Sequence, residues 1–303
     1  MTLAFNLGGT IALSYVDGAP VMLAGSRILD STPLPIRELN PVQSHWLGWS
    51  HLLLVRRELL AAHASGERSF LVLTGTDSAE DLLYFLDMVR PIDTRILVMV
   101  AMRTASTDEP RPDGLDEALE WLDRDGAGIG LCWGPGIIEG PLVEKIWKER
   151  WQFGPVEWLE TLPDWRVIPS IELTQEMPVV PILPVGIGSD RWHAKALRAD
   201  SFDGLVVEAY ASGDVPADTA EALVSLSEAG CPVVLASRSR PGRVKGGFPG
   251  IAGTSHELLT RGLFGAAQLD PHRARLRLAL VLACEPRGDI SAVFVGNQMG
   301  EKK

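Results

Sequence analysis

The chain has 303 residues, 46% hydrophobic and 22% charged, enough apolar surface for a real core and unlike a disordered polymer. Its formal net charge, 28 − 39 = −11, argues against a nucleic-acid backbone or an anionic membrane as partner. Cys132, Cys231 and Cys284 are odd in number, far apart and set in apolar contexts. They fit buried thiols in a reducing compartment, and no CxxC or Cys/His cluster supports a metal site. The first residues, MTLAFNLGGTIALSY, lack a basic segment and a cleavage site and read as a strand. No apolar run approaches the roughly 20 residues that span a bilayer. A cytoplasmic protein without membrane contact is expected.

In chain order, residues 3–8 (LAFNLG) form an apolar strand that ends in Gly8-Gly9-Thr10. Residues 11–24 make a short excursion with a turn at Asp17-Gly18-Ala19-Pro20. Residues 26–44 are polar and proline-containing. Over 45–64, Trp46, Trp49, Leu52, Leu53, Leu59 and Leu60 have the spacing of one helix face. Phe70–Leu73 is a buried strand that runs into Thr74-Gly75-Thr76-Asp77, after which a helix opens with Ser78, Glu80 and Asp81 in its first turn. Arg95–Val100 is a strand, 112–124 a helix and Gly128–Cys132 another strand, with Ile137–Val143 beside it. Gly128–Cys132 does not alternate apolar with polar residues, which suits a parallel sheet covered on both faces. Strand and helix alternate, the pattern of an α/β protein. Residues 154–176 lack clear periodicity. The rhythm then restarts, with strands at Pro178–Leu183, Gly204–Glu208 and Pro232–Leu235 and helices near 190–199, 216–229, 255–262 and 270–284. Two domains are expected, 1–165 and 178–303, with a linker at 166–177. Gly242–Thr254 is a glycine-rich loop.

The stretch LVLTGTDSAEDLLYFLD, 71–87, places a hydroxyl and a carboxylate at the carboxyl end of a strand and the start of a helix. Ligands bind there in open α/β sheets, and free N–H groups and the helix dipole favour negative charge. The same residues also fit plain helix capping by Thr76, Asp77 or Ser78. Thr10 fits a strand-end turn. Lys145, within EKIWKER, fits a solvated helix face. Trp147 and Trp151, four apart, fit core or interface better than a substrate platform. His51, His63, His193, His256 and His272, scattered along the chain, read as surface or helix-face residues, and Gly186-Ile187-Gly188 is too short for a dinucleotide loop.

Asn6-Leu7-Gly8-Gly9-Thr10-Ile11-Ala12 resembles the first signature of the bacterial L-asparaginase/glutaminase family. Leu73-Thr74-Gly75-Thr76-Asp77-Ser78-Ala79-Glu80-Asp81 resembles the second. Val98–Arg103 with Asp113-Gly114, the segment Glu139–Lys145, Gly204–Tyr210 with Asp214-Val215-Pro216, and Val233–Arg238 continue the likeness in order along the whole chain. The resemblance implies a larger N-terminal parallel-sheet α/β domain followed by a smaller, flavodoxin-like α/β domain. It implies hydrolysis of an asparagine-type side-chain amide to carboxylate and ammonia, through Thr10 as nucleophile and an acyl-enzyme. Thr76, Lys145 and Asp77 would form a hydroxyl–amine–carboxylate relay, with Lys145 on a hairpin. A lysine in a site of lowered dielectric can serve as a base. Ser44 and His45 would hold the substrate carboxylate, and the backbone around Gly75 and Thr76 the oxyanion.

The likeness has departures. The first loop is short, and Tyr15 is its sole candidate for activating Thr10. His45 stands where the family has glutamine. Ala211-Ser212-Gly213-Asp214 replaces an asparagine-containing turn, and Glu257 is the nearest acidic residue after Arg243. The expected partners are a small-molecule amide and further copies of the chain, as homodimer or homotetramer, with no cofactor. Two other functions are weighed beside asparagine hydrolysis: a tailoring amidohydrolase on a larger asparaginyl, peptidyl or secondary-metabolite substrate, and a catalytically weak ligand-sensing homologue.

Overall fold

The computed structural model describes residues 1–29, 32–105, 111–156, 172–174, 176–189, 197–198, 200–240, 242–244, 248–285 and 287–294. The chain divides into two compact units, Met1–Val156 and Glu157–Lys303. The expected linker, 166–177, and the helix near 190–199 lie mostly outside the described residues.

In the first unit, β1 (Thr2–Gly8) leads through a 3₁₀ turn at Thr10–Ala12 into an antiparallel hairpin of β2 (Leu13–Val16) and β3 (Ala19–Met22). Asp17 and Gly18 join them with φ of 50° and 79°, the positive angles that suit a two-residue hairpin turn. A one-turn helix, α1 (Gly25–Ile28), precedes β4 (Ile36–Val42) and then α2 (Trp49–Ala64). The expected strand–turn–helix follows as β5 (Ser69–Leu73) and α3 (Ala79–Val89). After it come β6 (Arg95–Val100), α4 (Leu115–Leu122), β7 (Gly128–Trp133) and β8 (Gly136–Glu139). The unit closes with a tight hairpin, β9 (Val143–Lys148) and β10 (Arg150–Pro155).

The main sheet has the order β4-β1-β5-β6-β7-β8, parallel except for β8. Its central strands are buried apolar runs, Phe70 to Leu73 and Ile96 to Met99 having no exposed surface. β4 was unexpected, because its sequence is polar and contains Pro41. An edge position tolerates both, since among the described residues one side of the strand has no pairing partner and a proline there forfeits no ladder bond. Trp121 of α4 is almost fully buried, donates from Nε1 to Glu139 Oε1 at 2.8 Å, and lies 4.6 Å beneath the Arg95 guanidinium.

The second unit contains β11 (Glu172–Leu173), β12 (Ile182–Pro184), β13 (Leu205–Ala209), α5 (Ala217–Glu228), β14 (Val233–Ser237), α6 (Ser255–Thr260), β15 (Phe264–Gly265), α7 (Pro271–Ala283) and β16 (Cys284–Glu285). Its sheet runs β12-β13-β14-β15, all parallel, and β11 pairs antiparallel with β16. Asp270 caps α7, accepting from the His272 and Arg273 N–H groups, and Pro271 fills the first helical position, where no N–H is needed. Among the described residues, no helix is long and apolar enough to cross a membrane.

Candidate active site

The site begins with two glycines placed back to back. A Cβ on Gly9 would lie 2.0 Å from the Gly75 nitrogen, and one on Gly75 would lie 2.9 Å from the Gly9 Cα. Gly9 also holds φ at 79°, which favours glycine. The carboxyl ends of the neighbouring strands β1 and β5 can therefore touch, and the threonines that follow, Thr10 and Thr76, are brought to the same end of the sheet. Asn6 fixes the first turn. It is buried, its Oδ1 accepts from the Gly8 N–H at 3.0 Å, and its Nδ2 donates to Glu38 Oε2 at 2.7 Å. Glu38 Oε1 in turn accepts from the Gly25 N–H at 2.7 Å, tying α1 to β4. Neither Asn6 nor Glu38 was a candidate from sequence, although an asparagine inside an apolar strand is a readable signal.

Lys145 sits on β9, in a hairpin and not on a helix face, which corrects the solvated-helix alternative. Its Nζ donates to Thr76 Oγ1 and to Asp77 Oδ1, both at 2.9 Å. Its backbone N–H donates to Glu80 Oε1 at 2.9 Å, so the first turn of α3 anchors the hairpin. Lys145 and Thr76 are 69 residues apart, and Thr76 is only 6% exposed. The capping alternative for Thr76, Asp77 and Ser78 also loses ground. Ser78 occupies the N-cap of α3, yet its side chain makes no capping bond. Its hydroxyl and that of Thr74 are buried without a partner.

Ser44 stands over this turn. Its Oγ accepts from the Asp77 N–H at 3.4 Å, and it is the atom a Gly75 Cβ would strike, at 2.5 Å. His45 lies beside it on the same 3₁₀ turn and meets the exposed Trp46 edge to face at 5.5 Å. Tyr15 lies on β2, 55% exposed. No hydrogen bond joins the Thr10 or Tyr15 hydroxyl to another described residue. A cavity of about 300 Å³ opens at the ends of β6 and β7, lined by Ile11, Val100, Arg103, Asp113 and Trp133 among others. Among the described residues, no group of three or more His, Cys, Asp or Glu side chains is placed to hold a metal ion.

In the second unit, Glu257 is engaged locally. It accepts from the Gly253 N–H at 2.7 Å and from Arg261 at 3.1 Å. Asp214 accepts from the Ser255 N–H at 2.8 Å, closing the 211–214 turn onto α6.

Fold and site together define a class: a two-unit α/β protein with a threonine–lysine–aspartate cluster at the carboxyl ends of parallel strands. Residues 179–294 match the Glutaminase/Asparaginase C-terminal domain family model. The chain is 23% identical to an L-asparaginase of Bacillus licheniformis, over 93% of this chain and 95% of that one. It is 27% identical to a probable L-asparaginase of Deinococcus radiodurans, over 90% and 87%. The thermostable L-asparaginase from Thermococcus kodakarensis superposes with a TM-score of 0.75 at 18% identity, over 100% of this chain and 97% of that one, a likeness of fold. The chain is thus similar to L-asparaginases along most of its length, and the matched family model lies within its second unit.

Proposed function

We propose that the chain is an asparaginase-like amidohydrolase that cleaves the side-chain amide of L-asparagine to aspartate and ammonia. The observation that carries this reading is the Lys145 amine, 2.9 Å from both Thr76 Oγ1 and Asp77 Oδ1. Lysine and carboxylate bracket a buried hydroxyl, an arrangement that can pass a proton to or from a reacting group. Thr10 Oγ attacks the amide carbon, the C–N bond breaks, and a proton relayed through Thr76 and Lys145 leaves with ammonia. Water then hydrolyses the threonine ester and restores the Thr10 hydroxyl. Backbone N–H groups beside Gly75 and Thr76 stabilise the oxyanion. The Ser44 hydroxyl and the N-terminus of α3 receive the α-carboxylate, and Asp77 receives the α-amino group. Tyr15 is the candidate activator of Thr10.

The setting of the enzyme is a reducing cytoplasm, supported by three free, buried cysteines. Its assembly is a homodimer or homotetramer, the form the family likeness implies. The test is ammonia release from asparagine by the wild type, T10A and T76A. Both variants are expected to lose activity about 10²-fold or more while keeping the far-UV circular dichroism of the wild type. Unchanged turnover in both variants sinks the reading. Thermal stabilisation by asparagine without ammonia release from the wild type points instead to ligand sensing.

A further inference from the structure

The β9–β10 hairpin carries a row of aromatic rings that the reaction above does not use. Strand alternation puts Lys145 and Trp147 of β9 on one face. Cross-strand pairing of Trp151 with Trp147 and of Phe153 with Lys145 brings both β10 residues to that face. At its buried end, Phe153 packs edge to face on Trp133 at 6.3 Å, and Trp133 lines the cavity that includes Ile11, the neighbour of Thr10. At its open end, Trp147 and Trp151 meet edge to face at 5.2 Å and remain 63% and 51% exposed. Lys145 lies between these ends, its Nζ 5.5 Å from the Trp151 ring centre and 2.9 Å from Thr76 Oγ1. Two half-exposed tryptophans form an apolar surface that begins at the relay amine.

We propose that Trp147 and Trp151 form a subsite for the leaving amine, so that this site takes side-chain amides whose nitrogen carries an aromatic or arylalkyl group. The inference rests on the amidohydrolase reading and deepens it. The substrate is R–NH–CO–CH₂–CH(NH₃⁺)–COO⁻. Thr10 Oγ forms the C–O bond, the C–N bond breaks, and the relayed proton leaves on R–NH₂. Water then cleaves the ester to aspartate and restores the Thr10 hydroxyl. With asparagine R is hydrogen, which reaches neither ring. With R aromatic, edge-to-face contact against Trp151 and Trp147 adds binding on the leaving-group side alone.

A tryptophan pair across a hairpin can also serve only to hold the hairpin. Selectivity separates the two roles. The full-length enzyme and its W147A, W147F and W151A variants are assayed with asparagine and with Nγ-benzyl-asparagine. The ratio of kcat/KM for the benzyl amide over asparagine is expected to fall about tenfold in W147A and W151A, mainly through KM, and to be largely kept in W147F. Equal losses on both substrates, or an unchanged ratio, overturn the subsite. So does a change of oligomeric state on size-exclusion chromatography with no change in the ratio. If the wild type cleaves asparagine but neither cleaves nor binds the benzyl amide, the subsite fails and the amidohydrolase reading stands. If no amide is cleaved, that reading fails. Calorimetric binding of the benzyl amide to T10A, weakened in T10A/W147A, then still supports the aromatic subsite, and equal binding by the two overturns it.

Discussion

Gly9 and Gly75 set the distance between the two threonines, and either position has a testable cost. A methyl group on Gly9 would press into the Gly75 backbone at a backbone angle that suits glycine. G9A is expected to lower stability by roughly 2 kcal/mol or more from strain and overpacking, read as a shifted urea midpoint, and to remove most activity. Retained stability with full activity would show that the strand ends need not touch. Lys145 makes a different demand. Its bonds to Thr76 and Asp77 could be purely structural or could carry a proton. K145R keeps a positive donor that does not give up its proton, and K145M keeps neither. Both are expected to lower kcat about 10²- to 10⁴-fold with little change in thermal midpoint, since Lys145 is not among the buried core residues and its partner Asp77 is more than half exposed. An active K145R would reduce the lysine to a tether. The residue scale also shows how far the sequence could be read. Gly-Thr at two strand ends, with Asp77 after the second, is a local signal visible in a window of ten residues. Lys145 is not, because its environment is made by a contact 69 residues away, and EKIWKER reads as well for a helix as for the strand it occupies.

Elements with strong periodicity or unbroken apolar runs were legible. The strands β5, β6 and β7 and the helices α2, α3 and α7 fall within a few residues of their expected bounds. The elements that escaped are held by partners and not by propensity. β4 is a polar edge strand defined by pairing with β1, and the Trp147/Trp151 pair is a cross-strand contact that its four-residue spacing disguised as helical. α7 owes its start to Asp270, which caps it and pairs with Arg273 while both are buried. Burial alone would raise the Asp270 carboxyl. The Arg273 charge and hydrogen bonds, with the Arg240 charge adding, outweigh it and hold the carboxyl below the usual carboxylate range. A depressed folded value means that the stabilisation is present above the unfolded value, near 4, and is lost as pH falls through the folded one. D270N removes the charge but keeps the shape, so it is expected to destabilise the protein by about 3 kcal/mol at pH 7. That difference should shrink as both proteins are titrated below pH 4 in urea melts. A constant difference from pH 7 to pH 3 would mean that the carboxylate charge contributes nothing.

At the scale of the whole molecule, the two units carry their own reporters. Cys132 lies in the first unit, and Cys231 and Cys284 in the second; all three are free and buried. Burial, with the nearby Glu117 charge, pushes the Cys132 thiol up to about 12, and burial likewise raises Cys231, here with Asp203 adding and Arg287 opposing. A thiol held in its neutral form reacts slowly with alkylating reagents, because the thiolate is the nucleophile. In native buffer at pH 8, iodoacetamide is therefore expected to label neither Cys132 nor Cys231 at the rate of a free cysteine, and burial shields Cys284 from the reagent. Labelling in rising urea, read by peptide mass spectrometry, measures opening of each unit separately. Cys231 sits just before β14, and Cys284 follows the end of α7, which lies in the same unit. If that unit unfolds as one cooperative body, the two thiols become reactive at the same urea concentration, whatever the midpoint at Cys132. Reaction of Cys284 well before Cys231 would instead mean that α7 and β16 detach from the smaller sheet before the sheet itself opens.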